Sequence, residues 1–418
     1  MSRLAPPVAP VRRVPQLGRL AALAALALLA SCGGGGNGSD SALRTEQVGV
    51  DSVAAEIPPG SNVAQVLVDT GIDGNSINSP FVTVRVCQPA TTNCVDIDHV
   101  VLDTGSSGLR VAASALPATL DLPAVQNASG EVVGECAHFA SGFSWGSVRR
   151  ADVQLAGERA ASLPVQVIND PGTPWSMIPA ACSGTGANIG ASRGAKGILG
   201  VGLFTQDCGT ACETLTTPNV YFACNGGGGC TSTVLPLASQ VANPVSSFAV
   251  NNNGVVLTLP AVPVGGAQQA TGALVFGIGT QANNQLGGAT VFKTDANGFF
   301  TTTYKGVRNT RSFLDSGSNG LFFNDFSLPS CGDFYCPPGA PLTLTATNTS
   351  ATGTSGTVTF TLDSVAAIRT DAGAAHIGGT NGLPDSFDWG LPFFFGRSVF
   401  VARSGAATPA GPGPYWAY

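Results

Sequence analysis

Leu102-Asp103-Thr104-Gly105-Ser106-Ser107-Gly108-Leu109 returns later in the chain as Leu314-Asp315-Ser316-Gly317-Ser318-Asn319-Gly320-Leu321. Six of the eight positions are identical and a seventh exchanges Thr for Ser. The copies lie 212 residues apart (315 − 103), which is a domain-scale spacing. Each copy places an acidic residue, a hydroxyl residue and a glycine at the end of an apolar run. A site built on two carboxylates needs that arrangement, and the doubling implies a duplicated fold that brings Asp103 and Asp315 together.

The surroundings of both copies read as short strands. Asp98–Leu102 delivers the first Asp, and Arg311–Leu314 the second. Ala64–Asp69, Phe81–Cys87, Ser147–Leu155, Leu163–Ile168, Val245–Val250, Val255–Leu259, Gly272–Gly277, Thr290–Lys293 and Phe299–Tyr304 are further apolar or alternating runs. So are Thr343–Thr347, Thr357–Leu362 and Arg397–Ala402, with Gly, Pro or Asn between nearly all of them. Helical periodicity is brief, Ser232–Val241 being one of few candidates. The fold class is therefore all-β. A break near Asn243–Asn253 divides the chain into an N-terminal lobe (61–245) and a C-terminal lobe (246–405), and residues 406–418, rich in Pro and Gly, read as a loose tail.

The first 32 residues read as an address. Arg3, Arg12, Arg13 and Arg19 precede an apolar run, Leu20–Ala30, too short to span a bilayer as a helix. Leu29-Ala30-Ser31-Cys32 is similar to a bacterial lipobox, in which Cys32 takes the lipid. Residues 33–60, opening on Gly33–Gly36, then form a flexible tether. Gly33 after the cysteine, by resemblance to known lipoproteins, points to the outer membrane, facing the periplasm or the cell surface. Ten cysteines remain, and in an exported protein they imply up to five disulfides. Cys87/Cys94, Cys208/Cys212, Cys224/Cys230 and Cys331/Cys336 are close pairs, leaving Cys136 and Cys182, though spacing does not settle connectivity. The cysteine spacings and three scattered histidines argue against a zinc site. No cofactor is expected. A net charge of −6 without a basic patch argues against nucleic acid as a partner. Three histidines without a Gly-x-Ser-x-Gly elbow argue against a Ser-His-Asp hydrolase.

Asp103-Thr104-Gly105-Ser106 and Asp315-Ser316-Gly317-Ser318 resemble the two active-site loops of the pepsin-like aspartic peptidases. In that family each lobe adds two apolar residues and a glycine that pack beside its Asp loop. Gly197-Ile198-Leu199-Gly200-Val201 and Phe394-Phe395-Gly396 are the candidates here, with Gly200 and Gly396 as packing glycines. The chain also resembles an uncharacterised family of bacterial lipoproteins, which by itself supplies no chemistry. The first resemblance implies a bilobal fold with a central cleft, probed by a peptide or protein substrate, in a monomer. Asp103 and Asp315 would be catalytic, sharing one proton because neighbouring carboxylates do not both ionise readily. Gly105 and Gly317 would allow tight turns against the opposite lobe. Thr104 and Ser316 would hydrogen-bond across the lobe interface, and Ser106 and Ser318 would donate to the outer carboxylate oxygens.

The chain departs from that family in three places. The hairpin closing over substrate normally carries Tyr-Gly-x-Gly-Ser, whereas here the matching stretch is Phe143-Ser144-Trp145-Gly146-Ser147, making Phe143 and Trp145 the hairpin candidates. The Trp that normally supports the tyrosine is Arg110. Residues 33–60 carry a single base, Arg44, where a Lys-rich pro-segment is usual. Two functions stay open: an envelope-tethered aspartic endopeptidase, and an inactive pepsin-like module that holds a peptide, glycan or protein in its cleft.

Overall fold

The computed structural model describes residues 51–190, 194–227, 229–365 and 372–418. The expected signal peptide, the expected lipidation site Cys32 and most of the expected tether lie outside the described residues. Among the described residues the protein is all-β, with strands in two sheets and only short helical turns.

Six strands of the first half close on themselves. Pro80–Cys87 pairs with Cys94–Asp103, which runs parallel to Gly197–Val201. Gly197–Val201 pairs with Ser107–Ala112, which runs parallel to Glu158–Ile168. Glu158–Ile168 pairs with Gly142–Leu155, which returns to Pro80–Cys87 and completes the ring. Closure leaves no free edge within this barrel. Alternation explains the strands: Val82, Val84 and Val86 are buried while Thr83 and Arg85 face out.

The same sheet continues into strands drawn from both halves of the chain. Val63–Val68 pairs with Ala270–Phe276, then come Gly254–Thr258, Ser398–Ala402, Tyr415–Ala417 and Val291–Lys293. Two expectations are corrected here. Residues 406–418 are not loose, because Tyr415, Trp416 and Ala417 are buried and paired on both sides. The described end of the tether is held as well, since Val53–Ala54 runs parallel to Ala270–Thr271. In both places a few buried apolar side chains outweigh the Pro and Gly around them.

The second sheet carries the second Asp motif. Val307–Asp315 lies between Phe300–Tyr304 and Asp388–Gly390, and the hairpin Leu342–Thr349/Ser355–Leu362 extends the sheet. Its core is aromatic. Phe323 stacks on Phe387 at 4.7 Å and Phe387 on Trp389 at 4.3 Å. The buried Trp389 indole donates to Thr302 Oγ1, which donates to Asn348, so its polar atom is satisfied.

Two local expectations fail for backbone reasons. Val245–Val250 contains a 3-10 turn, Pro244–Ser247, begun by Asn243, whose side chain accepts from Val245 N. Asn at the cap with Pro after it is a helix start. Ser232–Val241 yields only Leu237–Ser239, because Pro236 interrupts it. All five disulfides join the expected partners: Cys87–Cys94, Cys136–Cys182, Cys208–Cys212, Cys224–Cys230 and Cys331–Cys336.

Candidate functional site

Both Asp loops are built in the same way. Cys94–Asp103 runs parallel to Gly197–Val201, with Asp103 opposite Gly200. Val307–Asp315 runs parallel to Asp388–Gly390, with Asp315 opposite Gly390. Each loop then bends around its glycine. A Cβ on Gly200 would meet the Ser107 backbone at 2.7 Å, and one on Gly390 would meet the Gly320 carbonyl oxygen at 2.1 Å.

This register corrects the second packing element. Gly390, not Gly396, is the counterpart of Gly200. Gly396 turns at φ 74° and donates to the Leu259 carbonyl, with Ala261 as the nearest contact to its Cβ direction. The partner was concealed because Asp388-Trp389-Gly390 does not read as two apolar residues and a glycine. Asp388 stands where the first half has Ile198, and both line the same cavity.

The two loops interlock. Thr104 Oγ1 donates to the Leu314 carbonyl (3.0 Å) and accepts from Ser316 N (2.9 Å). Ser316 Oγ donates to the Leu102 carbonyl (2.7 Å) and accepts from Thr104 N (3.1 Å). Thr104 and Ser316 are both buried. Four reciprocal bonds between residues about 210 positions apart hold the loops in one geometry.

That geometry brings the carboxyls together, within reach of a mutual hydrogen bond. A Cβ on Gly105 would stand 2.7 Å from Asp315 Cγ, and one on Gly317 would stand 2.9 Å from Asp103 Cγ. Glycine is therefore required at both positions. Each carboxylate is held from its own loop. Asp103 Oδ1 accepts from Gly105 N (2.8 Å) and Oδ2 from Ser106 Oγ (2.5 Å). Asp315 Oδ1 accepts from Gly317 N (2.8 Å) and Oδ2 from Ser318 Oγ (2.7 Å).

Burial pushes the Asp103 carboxyl up to about 7, aided by the charge of Asp315 and opposed by the Ser106 hydroxyl and the Gly105 amide. A pair that holds one proton near neutrality has an acid and a base side by side, suited to proton transfer in both directions.

The pair lines a cavity of about 470 Å³ together with Val101, Ile198, Phe139, Ser141 and Leu383. A second cavity of about 270 Å³ adjoins it through Phe313 and Leu383, and includes Thr104, Gly105, Phe204 and Phe299. Together they make a cleft that passes the two carboxyls.

The expected hairpin exists, formed by Val132–Phe139 and Gly142–Leu155. Its expected aromatics do not face the cleft. Phe143 and Trp145 are buried with Trp175, Phe222 and the Cys136–Cys182 disulfide, and Trp145 Nε1 donates to the Trp175 carbonyl. The cavity is lined instead by Phe139, Ala140 and Ser141 at the hairpin tip. Reading the hairpin around Gly146 displaced the aromatic by four residues (143 − 139). His99 sits in a local pairing, between Asp98 and Asp69.

Residues 58–418 match the model of a family described as a protein of unknown function, DUF3443, and the chain belongs to that family. None of the curated proteins matches it.

Proposed function

We propose that this protein is an aspartic endopeptidase of bilobal pepsin-like architecture, tethered to the bacterial envelope by a lipid on Cys32, at the outer membrane. One observation carries the reading: two neighbouring, hydrogen-bonded carboxyls, Asp103 buried and Asp315 half-buried, on interlocked loops at the floor of a cleft. Water bound between the carboxyls loses a proton to the ionised member and attacks the amide carbon. The protonated member donates to the carbonyl oxygen. As the tetrahedral diol collapses, the C–N bond breaks, the amine takes a proton from the protonated member, and one diol hydroxyl returns its proton to the ionised member to give the product acid. The pair ends with the one proton it began with. The water is the nucleophile, so the chemistry asks for no side-chain nucleophile.

The cleft suits an extended chain. Its apolar walls (Phe139, Phe204, Phe299, Phe313) accept side chains on either side of the carboxyls. Purified protein is expected to cleave an unfolded protein between about pH 4 and 7, and a statine-type peptide, whose hydroxyl takes the place of the attacking water, is expected to stop it. Binding of that peptide without any cleavage would favour the alternative, an inactive cleft that holds a peptide, glycan or protein.

A further inference from the structure

Beneath the hairpin tip lies a buried set of charges that the hydrolytic chemistry does not use. Arg110 follows Asp103 by seven residues (110 − 103), and its side chain is 3% exposed. Its Nη2 donates to Glu135 Oε1 (2.6 Å) and Asp207 Oδ2 (3.2 Å), and its Nη1 to the Ser107 carbonyl (3.0 Å). Tyr221 closes the set, donating to Asp207 Oδ1 and accepting from Val241 N. Glu135 and Tyr221 are fully buried. Burial drives the Glu135 carboxyl well above its ordinary range, against the pull of Arg110 and with the help of Asp207.

Such a set is a poor source of stability, because removing charges from water costs about what their pairing returns. Its distinctive product is geometry. Three acceptors fix the guanidinium plane, a constraint that a lysine ammonium cannot satisfy. Above that plane lies the Phe139 ring, with the Arg110 Cζ 5.7 Å from its centroid, within the range of a cation–π contact. Phe139 in turn lines the cavity that holds Asp103 and Asp315. Glu135 stands on the same strand as Phe139, so the network grips both the base of the hairpin and its tip.

We propose that Arg110 is a positioning residue that, locked by Glu135 and Asp207, holds Phe139 against the cleft and so shapes the subsite for the substrate side chain beside the scissile bond. The consequence for substrate rests on the hydrolytic reading; the positioning of Phe139 does not.

The test is a cycle of Arg110→Met/Glu135→Gln, Phe139→Leu and the three changes together, read by peptide kinetics and by amide hydrogen exchange. Glu135 is changed together with Arg110 because it is the acceptor that holds the guanidinium at 2.6 Å, while Asp207 keeps its bond from Tyr221. Each of the two variants is expected to raise KM about tenfold with kcat within about twofold, and the combination to do no more, since residues acting through one contact are non-additive. Exchange at Phe139–Gly142 is expected to speed about tenfold in Arg110→Met/Glu135→Gln, with Glu158–Ile168 unchanged. Arg110→Lys is expected to restore neither. Additive KM effects, or unchanged exchange at the tip, would overturn the proposal. If Arg110→Met/Glu135→Gln does not fold, an unchanged KM in Phe139→Leu overturns it. Should the wild type cleave nothing while exchange still responds, the hydrolytic reading fails and the positioning stands.

Discussion

Asp315→Asn is expected to lower peptide hydrolysis by about 10⁴-fold while the protein stays folded. General acid–base catalysis contributes roughly 10²–10⁴ per role, and the pair supplies both roles through one shared proton. Asparagine keeps the shape: its Oδ1 can still accept from Gly317 N, and its Nδ2 can donate to Ser318 Oγ, which changes from donor to acceptor. It also removes the partner charge that helps raise Asp103. Melting temperature is therefore expected to hold or rise by a few degrees, since a buried Asp103 beside the Asp315 charge costs stability at neutral pH. Asp103→Asn should behave alike. Kinetics and thermal melts on the same samples check both halves of this expectation. A variant that retains activity would remove Asp315 from the chemistry, and one that unfolds would make the residue structural.

Gly390→Ala is expected to cost about 3 kcal/mol or more, and Gly396→Ala only about 1. At Gly390 the new methyl would meet two backbone carbonyls, 2.1 Å from Gly320 O and 2.6 Å from Ser318 O. Backbone cannot rotate away, so the second Asp loop must move or the variant must unfold. At Gly396 the nearest atom is 3.4 Å away, and the penalty is that of a non-glycine residue at φ 74°. Chemical denaturation of both variants measures the difference. Equal costs, or a reversed order, would contradict the assignment of Gly390 as the counterpart of Gly200. Because Gly390 bears on the loop that carries Asp315, any surviving activity in Gly390→Ala is expected to fall more than stability alone explains.

The doubled Asp motif was legible because its chemistry is local: an acid, a hydroxyl and a glycine in four residues, twice. Thr104 and Ser316 could be paired in advance, and they do exchange hydrogen bonds. Strands such as Pro80–Cys87 were legible from alternation, and close spacing suggested four of the five cysteine pairs without settling their connectivity. What escaped depended on contacts distant in sequence or on a broken pattern. Asp388 hid the Asp388-Trp389-Gly390 element, while Phe394-Phe395-Gly396 matched the pattern without the contact. The terminal strand Tyr415–Ala417 is three residues long, too short to carry a period. Arg110 could be noticed as a substitution, but its partners Glu135, Asp207 and Tyr221 assemble only in three dimensions.

The most direct test of the shared-proton pair is the pH dependence of kcat/KM for peptide cleavage. One proton on the pair is required: with two there is no base, and with none there is no acid. Burial and the neighbouring charge raise Asp103 to about 7. The activity it supports is present below that value and is lost as pH rises through it. The stabilising contribution of its proton follows the same sign, being complete below the ordinary Asp value of about 3.9 and gone above about 7. The predicted result is a bell whose alkaline limb falls near pH 7 and whose acidic limb falls well below it. A profile that stays flat or rises through pH 7, or cleavage that ignores both aspartates, would contradict the account.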